Sequence, residues 1–226
     1  MHRAPPPLRG LVRLVLVFGL AGLVACGGGP RPAVSNAACA ALPALNPALD
    51  QSIDPQAIDQ WLFDAAVRHA ANAERCRRGL PPLAADPALA LAASLHSGDM
   101  VRHGFFDHSS PVSGRGTLRD RLSPGAAQYI RAAENIAEIS LYGFAGRHFS
   151  RRDPAACDFT FTPGGPSIPR QSYAGAARTL IGNWMDSAGH RRNLLHPDMT
   201  RHGAGVAFRP DPAICGTLVV VQDFAG

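Results

Sequence analysis

Apolar positions change their period several times along the chain, and each change marks an element. Leu14 to Ala25 is an unbroken run of apolar residues and Gly. Residues 27–54 show no period and are rich in Pro, Ala and Asn, which predicts a tether and an irregular extension. Asp54-Pro55 has the form of a helix start, an acidic N-cap with Pro at the first position. Ile58, Trp61, Leu62, Ala65 and Ala66 then recur at helical spacing, and Gly79 ends the pattern. Asp86-Pro87 starts a second helix with Leu89, Ala93, His96 and Met100 on its inner face and Gly104 at its end. Phe105 to Pro111 is a compact turn, and Thr117 to Leu122 a short helix. Residues 129–141 fit a strand or a short helix. Residues 143–171, rich in Gly and Pro, are expected to be a long irregular surface loop. Tyr173 to Ser187 is helical again, with Gly189 as its expected left-handed stop and His190 at the turn. Gly203 to Arg209 and Thr217 to Phe224 are β-rich and flank Pro210-Asp211-Pro212, a hairpin pattern. These elements predict an α+β fold with helices packed on a small sheet, over residues 55–226.

The chain has 226 residues and a formal charge of +5, and all its cationic side chains are Arg. Arg3, Arg9 and Arg13 precede the apolar run; without them 19 Arg face 17 acids, leaving +2. The basic charge is therefore mostly a property of the leader, and no clustered basic face suggests nucleic-acid binding. Residues 1–25 have the layout of a secretory signal, and the run is too short for a mature span of about 20 residues. Leu23-Val24-Ala25-Cys26 resembles a bacterial lipobox, which implies lipidation at Cys26. Gly27 after that cysteine goes with outer-membrane sorting. The expected location is the exported side of the envelope, with a lipid anchor in the membrane.

Four cysteines remain: Cys39, Cys76, Cys157 and Cys215. An even number in an exported chain implies disulfides, with three pairings open. We favour Cys39–Cys76, which would tie the extension to the first helix, and Cys157–Cys215. No CxxC pair is present, which argues against a thiolate zinc site.

Four stretches occur in order: Phe105 to Pro111 with His108, Ala133-Glu134-Asn135-Ile136-Ala137, Trp184 to Asn193, and Gly203 to Ala207 with Gln222-Asp223-Phe224-Ala225. Together they resemble the CAP superfamily (cysteine-rich secretory proteins, antigen 5, pathogenesis-related 1) in its bacterial SCP-like branch. The resemblance implies a three-layer α-β-α sandwich and a cavity with two His and two acids. His108, Glu134 and His190 match three of those positions. The fourth position falls on Ser187, with Asp186 one residue before it. Ala133 stands where the family has Gly, and Ala188 where bacterial relatives often have Pro.

Two imidazoles and a carboxylate are a ligand set for Zn²⁺ or another divalent cation. His108, His190 and Glu134 are thus candidate metal ligands, with Asp186 and Ser187 as weaker cavity residues. The competing reading is a hydrogen-bond network that fixes three loops. Ser109 and Ser187 adjoin these histidines, but no nucleophile elbow is present. His96 reads as a core residue, His103, His148, His196 and His202 as surface or capping groups, and Asp198 and Asp223 as turn and strand-end groups. Asn193 is expected to satisfy backbone in its own loop. The balance favours a non-enzymatic envelope module that binds an unknown ligand or protein. The alternatives are a metal-assisted hydrolase of peptide or cell wall, and a lipid or sterol binder with a groove lined by Phe105, Phe106 and Phe144.

Overall fold

A computed structural model describes residues 39–40, 46–123, 129–153 and 155–226. The leader, Cys26 and most of the tether lie outside these residues. After a short 3-10 turn at Pro47–Asp50 come helix α1 (Gln60–Arg77), strand β1 (Ala84–Ala85), α2 (Pro87–His103), α3 (Leu118–Leu122) and β2 (Ala132–Ser140). They are followed by β3 (Ser150–Asp153), β4 (Asp158–Thr160), α4 (Tyr173–Asp186), α5 (Ala188–Leu194), β5 (Arg201–Arg209) and β6 (Thr217–Ala225).

The main sheet has the order β1-β5-β6-β2. β6 lies in its middle and is antiparallel to both neighbours, with Val221 opposite Gly205 on one side and Ile136 on the other. Every residue of β6 is buried, as expected for a strand covered on both faces. Leu218, Val220 and Phe224 face the cluster built with α1 and α4, and Val219 and Val221 face α2. The result is an α-β-α sandwich. On the α2 side, Gly203 and Gly205 bring β5 against the helix itself. A Cβ at these positions would lie 2.0 Å from the Ala90 nitrogen and 2.1 Å from the Ser94 nitrogen.

Both long edges of the sheet are closed by side chains. On β5, Gln60 accepts the Val206 N–H and donates to the Val206 carbonyl, while Asp64 accepts the Ala204 N–H. Residues 60 and 64 are one helical turn apart, so they reach alternate residues of the strand. On β2, the Trp184 indole donates to the Ile136 carbonyl and Asn193 to the Glu134 carbonyl. Such caps remove the free strand edge that invites association.

Several expected boundaries hold and others move. α2 starts on Asp86, which accepts from Ala88 and Leu89, and ends on Gly104 at φ 67°. α3 carries a full capping box from Thr117 and Asp120. α1, however, starts at Gln60 on the cap Asp59, because Asp54 spends its carboxylate on the Gln56 N–H within a turn. The inward face of α1 is Phe63, Ala66, Val67 and Ala71, and Trp61 is 68% exposed. Gly189 does not close the preceding helix. α4 stops at Ser187, and Gly189 lies inside α5, a separate helix.

The 143–171 stretch is more ordered than expected. β3 and β4 pair antiparallel, and Phe144, Phe159 and Ile168 form a core of their own. Phe144 stacks on Phe149 at 3.8 Å between ring centres. The two disulfides are Cys39–Cys76 and Cys157–Cys215, the favoured pairing, and the second ties this insertion to the β5–β6 connection.

Candidate functional site

The site is built at the β2 edge, where two elements deliver side chains to the Glu134 carboxylate and a third carries His190. β2 presents Glu134 on the α2 face of the sheet, opposite Asp223 on β6. The loop after α2 brings His108, whose ring Nδ1 lies 2.7 Å from Glu134 Oε1. That loop is itself pinned, since Arg115 pairs with the buried Asp99 and His96 Nε2 bonds the Asp107 carbonyl at 3.0 Å. α3 supplies Arg121, which donates from Nη2 to Glu134 Oε2 at 2.6 Å. α5 carries His190 around the edge from the other face. Asn135 holds this helix through the His190 carbonyl, and Asn193 bonds back to Asn135 at 2.9 Å.

Arg75 of α1 anchors the far end of α5. Its buried guanidinium donates to the carbonyls of Pro81, Leu194, His196 and Met199 at 2.8–3.0 Å. Burial lowers its pKa to about 10, which still leaves it a cation at neutral pH.

The electrostatics follow from these contacts. Burial would raise the Glu134 pKa, but the His108 hydrogen bond and the Arg121 charge outweigh it and hold the carboxyl below its ordinary value. Hydrogen bonding to Glu134 raises His108 against the opposing effect of burial. Burial lowers His190, and the nearby His108 charge adds to that. Burial and then the Glu134 charge push Asp223 well above its ordinary value. Burial also lowers His96, whose Nε2 is 4.0 Å from Glu134 Oε2.

His108 and Glu134 are thus joined directly, and His190 is close enough to feel the His108 charge. Among the described residues no three His, Cys, Asp or Glu groups are placed to hold one ion. Each carboxylate oxygen of Glu134 is already engaged, one by His108 and the other by Arg121. Asp186 is exposed at the end of α4, and Ser187 offers no side-chain cap to α5; neither hydrogen-bonds to the cluster. Ser109 and Ser187 likewise make no hydrogen bond to His108 or His190.

Three members of the cluster were not expected there. His96 reads correctly as buried, yet it belongs to the Glu134 surroundings. Asp223 is fully buried instead of a strand-end group. Arg121 lies on the same helix face as Leu118 and Leu122, and an Arg in an apolar stripe is the signal that marks it. His202 also departs from its surface reading. It is buried, 3.4 Å from Asp64 and edge-on to Phe224. Asn193 reaches beyond its own loop to β2. The 143–171 insertion leaves the far end of β2, six residues and roughly 20 Å from Glu134, away from this cluster.

Fold and site define a three-layer domain with an imidazole–carboxylate–guanidinium cluster at one sheet edge. The chain belongs to the CAP, or cysteine-rich secretory protein, family, whose profile matches residues 68–224. It is 29% identical over 143 residues to "Uncharacterized protein YkwD" of Bacillus subtilis (strain 168), covering 63% of this chain and 42% of that one. It is 31% identical over 135 residues to "Uncharacterized membrane protein YlbC" of the same organism, covering 60% of this chain and 29% of that one. An extracellular protein containing a SCP domain from Bacillus anthracis str. Ames is 29% identical, with TM-score 0.46 over 72% of this chain and 40% of that chain. The chain therefore spans less than half the length of each of these relatives.

Proposed function

We propose that this chain is an exported envelope module that binds a ligand or partner at the sheet edge around His108 and His190 and does not turn it over. The observation that carries this reading is the state of Glu134. A general base works best when its pKa lies near the operating pH and it is free to meet the proton it takes. Glu134 instead has one oxygen on His108, the other on Arg121, and a pKa held low. Two disulfides suit an oxidising compartment, which agrees with the signal layout of residues 1–25. Lipidation at Cys26 would hold the domain at a bilayer, and Gly27 favours the outer membrane. The test is incubation of the full chain with peptidoglycan sacculi and a mixed peptide pool. Binding without new fragments is expected. Fragments that vanish in Glu134→Gln would establish the hydrolase instead. Cys26→Ala should release the protein from membranes, and unchanged membrane association would remove the lipid anchor from this reading.

A second reading, lipid or sterol binding, is favoured by an apolar cleft of about 420 Å³ between α1 and α4. Ala66, Ala70, Ala73, Ala177, Ile181 and Met185 line it, with Arg77 and Arg178 among the polar groups. Its size falls within the range of small-molecule sites. The lining differs from the expected one, because Phe105 packs with the α2 cluster and Phe144 lies in the insertion core. Displacement of a fluorescent fatty acid, lost in Ala177→Trp, would support this reading; equal binding by wild type and Ala177→Trp would remove the cleft from it.

A further inference from the structure

We propose that the guanidinium of Arg121 is the resident cation of the His108–Glu134 cluster, standing beside Glu134 where a divalent metal ion would otherwise balance the charge. The inference is independent of whether this cluster binds or hydrolyses a ligand.

A metal ion bound by His108, His190 and Glu134 needs a carboxylate oxygen free to approach it at ~2.0–2.2 Å. Here Arg121 donates to Oε2 at 2.6 Å and the His108 ring is 2.7 Å from Oε1. The Arg121 and Glu134 side chains are 1% and 3% exposed, so little water screens the pair. A dication arriving at Glu134 would meet a fixed positive charge in a dry setting. A guanidinium brings a full positive charge and five N–H donors with no acceptor, so it offers a metal ion nothing in return.

The surroundings hold the guanidinium in place. A second nitrogen, Nη1, donates to the Arg115 carbonyl at 3.3 Å, and Arg115 is anchored on Asp99. The capping box of α3 fixes the helix that delivers the side chain. Of the two imidazoles near Glu134, His96 is 4.0 Å from Oε2 and is held by the Asp107 carbonyl, and His108, though bonded to Oε1, is more than half exposed to water. Arg121 is thus the group that supplies a full positive charge to Glu134 from inside the fold. Without it, Glu134 would be a buried carboxylate lacking its main counterion, a strongly unfavourable state. Such a carboxylate recruits a proton or a cation, and the two imidazoles alongside it would direct that choice towards zinc.

The test titrates the full chain with zinc chloride in a calorimeter, for wild type, Arg121→Gln, Arg121→Lys and the double variant Arg121→Gln/His108→Ala. The wild type is expected to show no His108-dependent zinc site. Arg121→Gln should gain one zinc per chain, bound at least about tenfold more tightly than in the wild type. The double variant should lose that gain, and Arg121→Lys, which keeps the charge, should not show it. A wild-type site of one zinc that His108→Ala abolishes would overturn the proposal. So would a folded Arg121→Gln that gains nothing. If Arg121→Gln does not fold, the wild type decides: a His108-dependent zinc refutes the proposal, and its absence, with Arg121→Lys folded and equally inert, supports it.

Discussion

Arg75 Nη1 and the Leu194 carbonyl, 2.9 Å apart, join the first helix of the domain to the end of the helix that carries His190. The same guanidinium also takes the carbonyls of Pro81, His196 and Met199. Arg75→Met would keep most of the bulk and leave these acceptors without their donor. An unpaired buried polar group costs about 1–3 kcal/mol, and relaxation or entering water recovers part of it. The expected loss is roughly 3–5 kcal/mol in urea unfolding, with the backbone of residues 190–199 exchanging amide protons faster. A loss under about 1 kcal/mol would show that the carbonyls find other partners.

Gly205 meets the α2 backbone at Ser94, so an added methyl has no flexible side chain to push aside. Gly205→Ala should cost about 3 kcal/mol or more, because the sheet and the helix must separate. Gly182, in the middle of α4, has nothing within 4 Å of an added Cβ. Gly182→Ala should therefore stabilise by roughly 0.5–1 kcal/mol through helix propensity. Thermal melts of the two variants should move in opposite directions. A shared direction would mean that contact at β5 does not govern the packing of α2.

The contrast between these two glycines also shows what was legible in the sequence. The pattern Gly203-Ala204-Gly205-Val206 read as a strand, and Asp86-Pro87 with Gly104 bounded α2 correctly, because caps and periods are local. The start of α1 was misplaced because Asp54 and Asp59 both offer an acidic cap, and only the turn at Gln56 distinguishes them. His108, Glu134 and His190 were found through the resemblance. Their charge state was not, since it depends on Arg121 and Asp223, which arrive from α3 and β6 by tertiary packing. The insertion looked irregular because its order comes from aromatic stacking and a long-range disulfide, neither of which leaves a period.

His108 and His190 should titrate on opposite sides of the ordinary imidazole value of 6.5. For His108, whose pKa is higher folded than unfolded, the stabilising contribution is fully present below about 6.5 and is lost as pH rises through the folded value. For His190 the sign is reversed: its contribution is present above about 6.5 and is lost as pH falls through its lowered value. Proton NMR of the ring Cε1–H signals, assigned with single His→Gln variants, reads both curves. His108→Gln should also flatten the stability profile above pH 6.5. Finding His190 to be the more basic of the two would contradict the hydrogen bond to Glu134 as the dominant influence on His108.

The two tryptophans should respond very differently to replacement. Trp61 is 68% exposed at the start of α1, whereas Trp184 is 1% exposed and donates to the Ile136 carbonyl at 3.4 Å. Trp61→Ala is expected to change stability by no more than about 0.5 kcal/mol, the usual range for surface sites. Trp184→Ala should cost about 3–5 kcal/mol, since it opens a cavity between α4 and the sheet and uncovers the β2 edge. The chain has only these two indoles. In Trp61→Phe, the remaining emission should therefore come from a buried ring and resist acrylamide quenching. In Trp184→Phe, if it folds, emission should be readily quenched. Easily quenched emission in Trp61→Phe would place Trp184 outside the core and remove the indole cap from β2.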